Sequence, residues 1–219
     1  MSPALISAFT LVSGISWTIV YIDIINRGLR DKTYGMPFFA LAFNIAWEFI
    51  YAFVIYQGFA LQRAVNIVWF LLDGGVLYTY LRYGREEFAE GYRKYFLPWS
   101  GVAIMMAFAV LYFSGREFPD VRGGTYSAFA QNLMMSVLFI AMLVRRGSVS
   151  GQSMYIAIFK WLGTLAPTIL LWVATGSRLV LVLGIGCFLY DVIYIGMLYR
   201  KFVEAGMNPW TRGNMTGEP

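Results

Sequence analysis

The chain has 219 residues, of which 59% are hydrophobic and only 13% charged, against about 25% charged in an ordinary soluble domain. With no histidine and Cys187 as its single cysteine, it lacks the material for His-based metal sites, cysteine clusters, disulfides or Ser-His-Asp chemistry. The net charge of +5 sits in short loops between apolar runs, which suits membrane orientation and argues against nucleic-acid binding.

Runs long enough to cross about 30 Å of hydrocarbon fall at 3–26, 36–57, 61–81, 97–114, 123–144, 153–175 and 178–200. The expected fold is an all-α membrane protein, a seven-transmembrane helix bundle forming one domain over 1–204. A polar, flexible cytoplasmic tail is expected over 205–219. The first run lacks the basic region and small-residue cleavage site of a signal peptide and is read as a retained span. Seven spans put alternate loops on opposite sides. Twelve arginines and lysines, from Arg27 to Arg212, then share one side, and only Arg63, Arg116, Arg122 and Arg178 share the other. This bias predicts the N-terminus outside and the C-terminus in the cytoplasm. The short loops favour a multi-pass protein of a bacterial plasma membrane.

Five ionisable residues fall inside these spans, each costing about 2.5–3.5 kcal/mol near the bilayer centre. Asp23, in the first span, is near enough to its end to reach the interface. Glu48 lies mid-span in "NIAWEFIYAF", with Asn44 one turn before it and Tyr51 three residues after it on the same face. Asp73 follows in the third span beside Gly74 and Gly75, with Trp69 one turn earlier; it could equally be a polar knot between closely packed helices. Lys160 is expected to snorkel to the nearby membrane surface. Asp191 again lies mid-span, with Tyr194 on its face and Tyr190 beside it.

Glu48 and Asp191 are the candidate functional acids, because Lys160 could neutralise only one of them. A carboxyl held in an apolar pocket without a cationic partner tends to keep its proton, and two facing one cavity divide the roles of acid and base. This suits proton donation in a dry site, and it suits proton-coupled transport equally. The aromatic content of 18%, including Trp47, Trp161 and Trp172 within spans, would suit a pocket that stabilises a cation, although ordinary packing and interfacial belts use the same residues. No aspartate-rich cluster for magnesium and diphosphate, no Gly-rich phosphate loop and no DxDD run is present.

"FLLD" ending at Asp73 and "FLYD" ending at Asp191 lie 118 residues apart. Arg27 and Arg145, like Met36 and Met154, share that offset. A parallel repeat of helices 1–3 and 5–7 joined by helix 4 would place these pairs in equivalent positions, as in some transporters. A small proton-coupled transporter is therefore the alternative function. A seven-helix photoreceptor is disfavoured, since the last span has no lysine before Lys201.

The segment "YGMPFFALAFNIAWEFIYAF" together with "FLYDVIYI" resembles the small integral-membrane terpene cyclases of fungal meroterpenoid and indole-diterpenoid pathways and their bacterial, drimentine-type relatives. The resemblance rests on Met36 and Pro37, the N-x-x-W-E pattern at Asn44, Trp47 and Glu48, and the late Asp191. It implies that Glu48 and Asp191 are the essential acids. It further implies cyclisation begun by protonating a terminal alkene or epoxide of a prenylated substrate, such as a farnesylated indole, without loss of diphosphate. No cofactor or metal is implied. Asn44, Trp47, Tyr51, Trp69, Asp73, Tyr190 and Tyr194 are the candidate pocket residues.

Overall fold

A computed structural model describes residues 2–55, 60–118 and 123–211. Seven helices follow in chain order: α1 (Pro3–Asp31), α2 (Phe38–Phe49), α3 (Ala60–Tyr83), α4 (Phe96–Glu117), α5 (Gly123–Arg146), α6 (Met154–Thr175) and α7 (Arg178–Glu204). No strand occurs among the described residues. Six helices are long and apolar enough to cross a membrane. The seventh, α2, continues through a π-helical segment, Ile50–Val54, and is shorter. At about 1.5 Å per residue it spans less than the hydrocarbon depth.

The termini follow local chemistry. Ser2, Ser153 and Ser177 cap α1, α6 and α7 by accepting the backbone N–H three residues on, which satisfies an otherwise orphaned donor. The α6 helix ends at Gly176, whose positive φ of 64° favours a residue without Cβ. The π segment is marked by Ile55 N–H reaching Ile50 C=O at 2.7 Å. Such insertions accumulate at functional sites, and this one starts two residues after Glu48.

The helix pairings repeat. In the first half α2 packs on α3 and α1 on α3, and in the second α6 packs on α7 and α5 on α7. Across the halves α1 packs on α6 as α5 packs on α2. Exchanging each helix for its partner 118 residues away reproduces the same contacts, with α4 as the odd helix beside α2. The equivalent loops also meet: a Cβ on Gly35 would lie 2.6 Å from the Gly151 carbonyl oxygen, and Gly151 N–H donates to Asp31 Oδ2 at 2.8 Å.

The α1–α6 contact has a specific cause. Pro167 inside α6 has no N–H, so the carbonyl of Gly163 one turn earlier loses its helical donor. Ser13 Oγ of α1 supplies one at 2.8 Å. Gly163 also lets Trp17 close in: an added Cβ would sit 2.7 Å from the indole.

At the end holding the α1–α2, α3–α4 and α5–α6 loops, Glu87 ties three segments together. It accepts from Arg145 at 2.8 Å, Arg146 at 2.5 Å and Thr33 at 2.8 Å. The Arg146 guanidinium also lies 4.4 Å over the Tyr34 ring. Burial first, then the Glu87 charge, raises the Tyr34 phenol above its ordinary range, so it stays neutral and can accept from Arg145 at 2.8 Å. Beyond α7, Trp210 packs edge-on against Tyr155 at 6.1 Å. The rest of the expected tail, 212–219, lies outside the described residues, as does Arg122.

Candidate active site

Three helices place four polar side chains in one buried cluster. Asn44 and Glu48, one turn apart, share the face of α2 that looks at α1 and α3. Tyr21 of α1 donates to Glu48 Oε1 at 2.6 Å. Asn44 Nδ2 donates to the same oxygen at 3.0 Å and to Asp73 Oδ2 of α3 at 3.0 Å, and it also contacts the Tyr21 hydroxyl. Glu48 and Asp73 thus accept from the one Asn44 amide nitrogen. Asp73 is 0% exposed and Glu48 1%. No ion pair among the described residues reaches either acid.

Two carboxyls that share one amide donor, out of water and without a cation, resist ionising together, and a proton held by such a pair can be given to a substrate. The geometry says where it is useful. Oε1 of Glu48 is occupied by two donors, whereas Oε2 has no protein partner. A proton on Oε2 is free to be given away, and the carboxylate left behind keeps the Tyr21 and Asn44 donors.

Asp191 lies in a second cluster. Lys160 Nζ of α6 is 2.6 Å from Asp191 Oδ1 and donates to Ser136 Oγ of α5 at 2.6 Å. Lys160 is 0% exposed, so it does not snorkel as expected. Asp191 and Ser136 hold its ammonium on the inner side of α6, so the stem turns inward and not to the membrane surface. The Lys160 ammonium stands 6.0 Å from the Trp17 ring and 5.9 Å from Phe139. Trp17 in turn is 6.1 Å from Tyr21, so α1 carries an aromatic link between the two clusters.

The other candidates divide. Trp69 lies 6.3 Å from Tyr21, with its Nε1 toward Thr18 at 3.3 Å, and so borders the first cluster. Tyr194 packs 5.4 Å from Phe139 and donates to Gln152 at 2.9 Å, next to the second. Trp47 and Tyr51 do not reach the acids. Trp47 of α2 and Tyr51 of the π segment pack with tilted rings 4.9 Å apart on another face, where Trp47 donates to Gly124 C=O at 3.0 Å and Tyr51 lies against Gly115. Tyr190 is 41% exposed on the outside of the bundle and joins neither cluster.

Tyr21 was not among the expected residues. A signal existed: Ser13, Ser16, Trp17, Val20, Tyr21, Ile24 and Gly28 form one buried helical stripe of α1, and Tyr21 is its phenol-bearing member. An apolar cleft of about 340 Å³ between α1 and α3, lined by Gly14, Ile15, Thr18, Val65 and Val68 among others, opens beside this stripe.

A family model described as Pyr4-like transmembrane terpene cyclases matches residues 2–205. The chain is 30% identical over 205 residues to the Pyr4-family terpene cyclase mfmH of Annulohypoxylon moriforme, covering 90% of this chain and 84% of that one. It is 27% identical over 204 residues to the terpene cyclase pyr4 of Aspergillus fumigatus, covering 87% and 84%. It is 32% identical over 168 residues to the terpene cyclase ascF of Acremonium egyptiacum, covering 69% and 61%. These relatives are fungal and lend no support to a bacterial membrane. No solved structure matches the chain.

Proposed function

This chain belongs to the Pyr4-like transmembrane terpene cyclases, and on that premise we propose that Glu48 starts the cyclisation as a general acid. It is a multi-pass membrane enzyme. In the proposed reaction Glu48 Oε2–H protonates a terminal alkene or epoxide of a prenylated substrate, such as a farnesylated indole. The cation then migrates along the folded chain, rings close without loss of diphosphate, and loss of a proton ends the sequence. The single observation that supports this reading is the asymmetry of Glu48: one oxygen held by Tyr21 and Asn44, the other bare.

The remaining roles follow from chemistry. Donors fixed before reaction stabilise developing charge without reorganising, so Tyr21 and Asn44 favour the glutamate that appears as the proton leaves. Asp73, on the same Asn44 amide, disfavours ionisation of Glu48 until substrate takes the proton. Asp191 is the partner acid, acting as a carboxylate that stabilises positive charge. The faces of Trp17, Tyr21 and Trp69 suit a passing cation. We also infer that the N-terminus faces out and the C-terminus the cytoplasm, with the Glu87 clasp on the cytoplasmic side.

The repeated helix pairing is the layout the transporter alternative requires, but a duplicated scaffold can carry an enzyme site as readily as a transport path. The test supplies a farnesylated indole or cyclic dipeptide, with and without a terminal epoxide, to membranes holding wild type, Glu48→Gln or Asp191→Asn. Mass-neutral cyclisation by wild type, lost in Glu48→Gln, is the expected result. Undiminished cyclisation by Glu48→Gln would sink the assignment.

A further inference from the structure

The two halves of the bundle carry equivalent aspartates, Asp73 and Asp191, in opposite electrostatic settings. Asp73 faces another carboxyl through Asn44. Asp191 faces the ammonium of Lys160 at 2.6 Å. The residue 118 positions before Lys160 is Ala42, so the first half has no counterpart to this cation. Lys160 spends one N–H on Ser136 and one on Asp191, and Ser136 is anchored to the Asn132 carbonyl at 3.0 Å. The cation therefore has a fixed place, and so does Asp191 Oδ1. Oδ2 of Asp191 is buried and has no protein partner.

We propose that Lys160 is a positioning residue of the cyclisation, holding Asp191 as a fixed carboxylate that meets the cationic intermediate, so that Glu48 alone carries the initiating proton. The inference rests on the reading that Asp191 serves the reaction. Its physical basis is that a buried carboxylate bonded to an ammonium stays ionised, whereas a carboxyl that has lost its buried partner takes up a proton to avoid a lone charge. A neutral Asp191 offers no negative charge to a cation. The flanking groups add none: Trp17 on α1, Phe139 on α5, and Cys187 and Tyr194 on α7 surround the pair.

The test separates initiation from propagation. Purified wild type, Lys160→Met, Lys160→Arg, Asp191→Asn and Glu48→Gln are given a farnesylated indole in D₂O, and products are resolved by mass. On initiation the alkene electron pair forms a C–D bond with the deuteron from Glu48, leaving a cation at the neighbouring carbon. If that cation is not carried onward, an adjacent C–H bond breaks, its proton passes to the Glu48 carboxylate left by initiation, its electron pair forms a new C=C, and an incompletely cyclised, singly deuterated isomer leaves.

For Lys160→Met and Asp191→Asn the expected result is continued deuterium incorporation, with the share of incompletely cyclised product raised roughly tenfold or more. Lys160→Arg, which keeps the charge, should stay near the wild-type product. A folded Lys160→Met giving the wild-type product at the wild-type rate overturns the proposal. So does one that loses deuterium incorporation as Glu48→Gln does, because its defect then lies in initiation. Asp191→Asn behaving as wild type would instead remove the reading of Asp191 on which this rests. If Lys160→Met does not fold, Lys160→Gln keeps hydrogen-bond donors toward Ser136 and Asp191 without the charge, and it is read by the same criteria.

Discussion

Tyr21 on α1 donates its phenolic O–H to Glu48 Oε1 on α2 at 2.6 Å, although α1 and α2 make few direct contacts and are joined mainly through α3. The hydroxyl bridges a gap between helices at the point where the acid sits. The ring packs against Trp17 and Trp69, whereas its hydroxyl adds little to packing and, in the proposed reaction, stabilises the charge left on Glu48.

Tyr21→Phe should therefore fold normally and lose turnover by about 100-fold, the usual cost of removing one preorganised donor from a developing anion. Initial rates at matched enzyme concentration check this. A loss under threefold would mean that Asn44 suffices.

Asp73 and Glu48 share one amide donor, so their effects should not add. Asp73→Asn is expected to lower the rate by at least tenfold, yet the Glu48→Gln/Asp73→Asn pair should be no worse than Glu48→Gln alone. Independent, multiplying losses would show that Asp73 acts elsewhere.

Gly163→Ala places a methyl 2.7 Å from the Trp17 indole, a ring that neighbours both Lys160 and Tyr21. Overpacking of this kind typically costs about 1–3 kcal/mol. Thermal unfolding in detergent should show a lower midpoint, and activity should fall with it because Trp17 borders both clusters.

Glu87→Gln keeps the size of the clasp but leaves Arg146, whose side chain is 8% exposed, without its anion. Truncating one partner of a hydrogen-bonded charge pair costs about 1–3 kcal/mol where burial is incomplete. The expected result is lower stability, with activity of the remaining folded enzyme unchanged. Loss of activity without loss of stability would instead give the clasp a catalytic role.

Tyr190→Leu serves as the contrasting case. The ring is on the outside of the bundle, and surface changes away from special features usually stay within about 0.5 kcal/mol. Cyclisation at the wild-type rate is expected. A tenfold loss would relocate the substrate to the lipid face of α7.

Six of the helices were legible in the sequence because apolar run length is set by the bilayer and needs no knowledge of neighbours; α2 was legible as an apolar run, although its helix is shorter than the others. The conspicuous acids were legible for the same reason: a carboxyl in hydrocarbon is costly wherever its helix packs. Asn44 was legible beside Glu48, since one turn of helix fixes that proximity. Other residues depended on azimuth and on partners. Tyr51 shares the i,i+3 face of Glu48 on paper, but its i,i+4 contact with Trp47 turns toward α4 and α5. Lys160 has a stem long enough to snorkel, yet Asp191 and Ser136 wait on the inner side.

By itself, then, the sequence determined an all-helical membrane chain with acids inside its apolar runs and a faint 118-residue echo, because hydrophobic length and the cost of burying charge are local properties. Only the tertiary structure decided which acid would face another carboxyl and which would face an ammonium. That outcome depends on the order in which α1, α3, α6 and α7 pack, and on single atoms such as the Gly163 carbonyl that Pro167 frees for Ser13. It also drew Tyr21 to Glu48, a pairing 27 residues apart that no helical periodicity encodes.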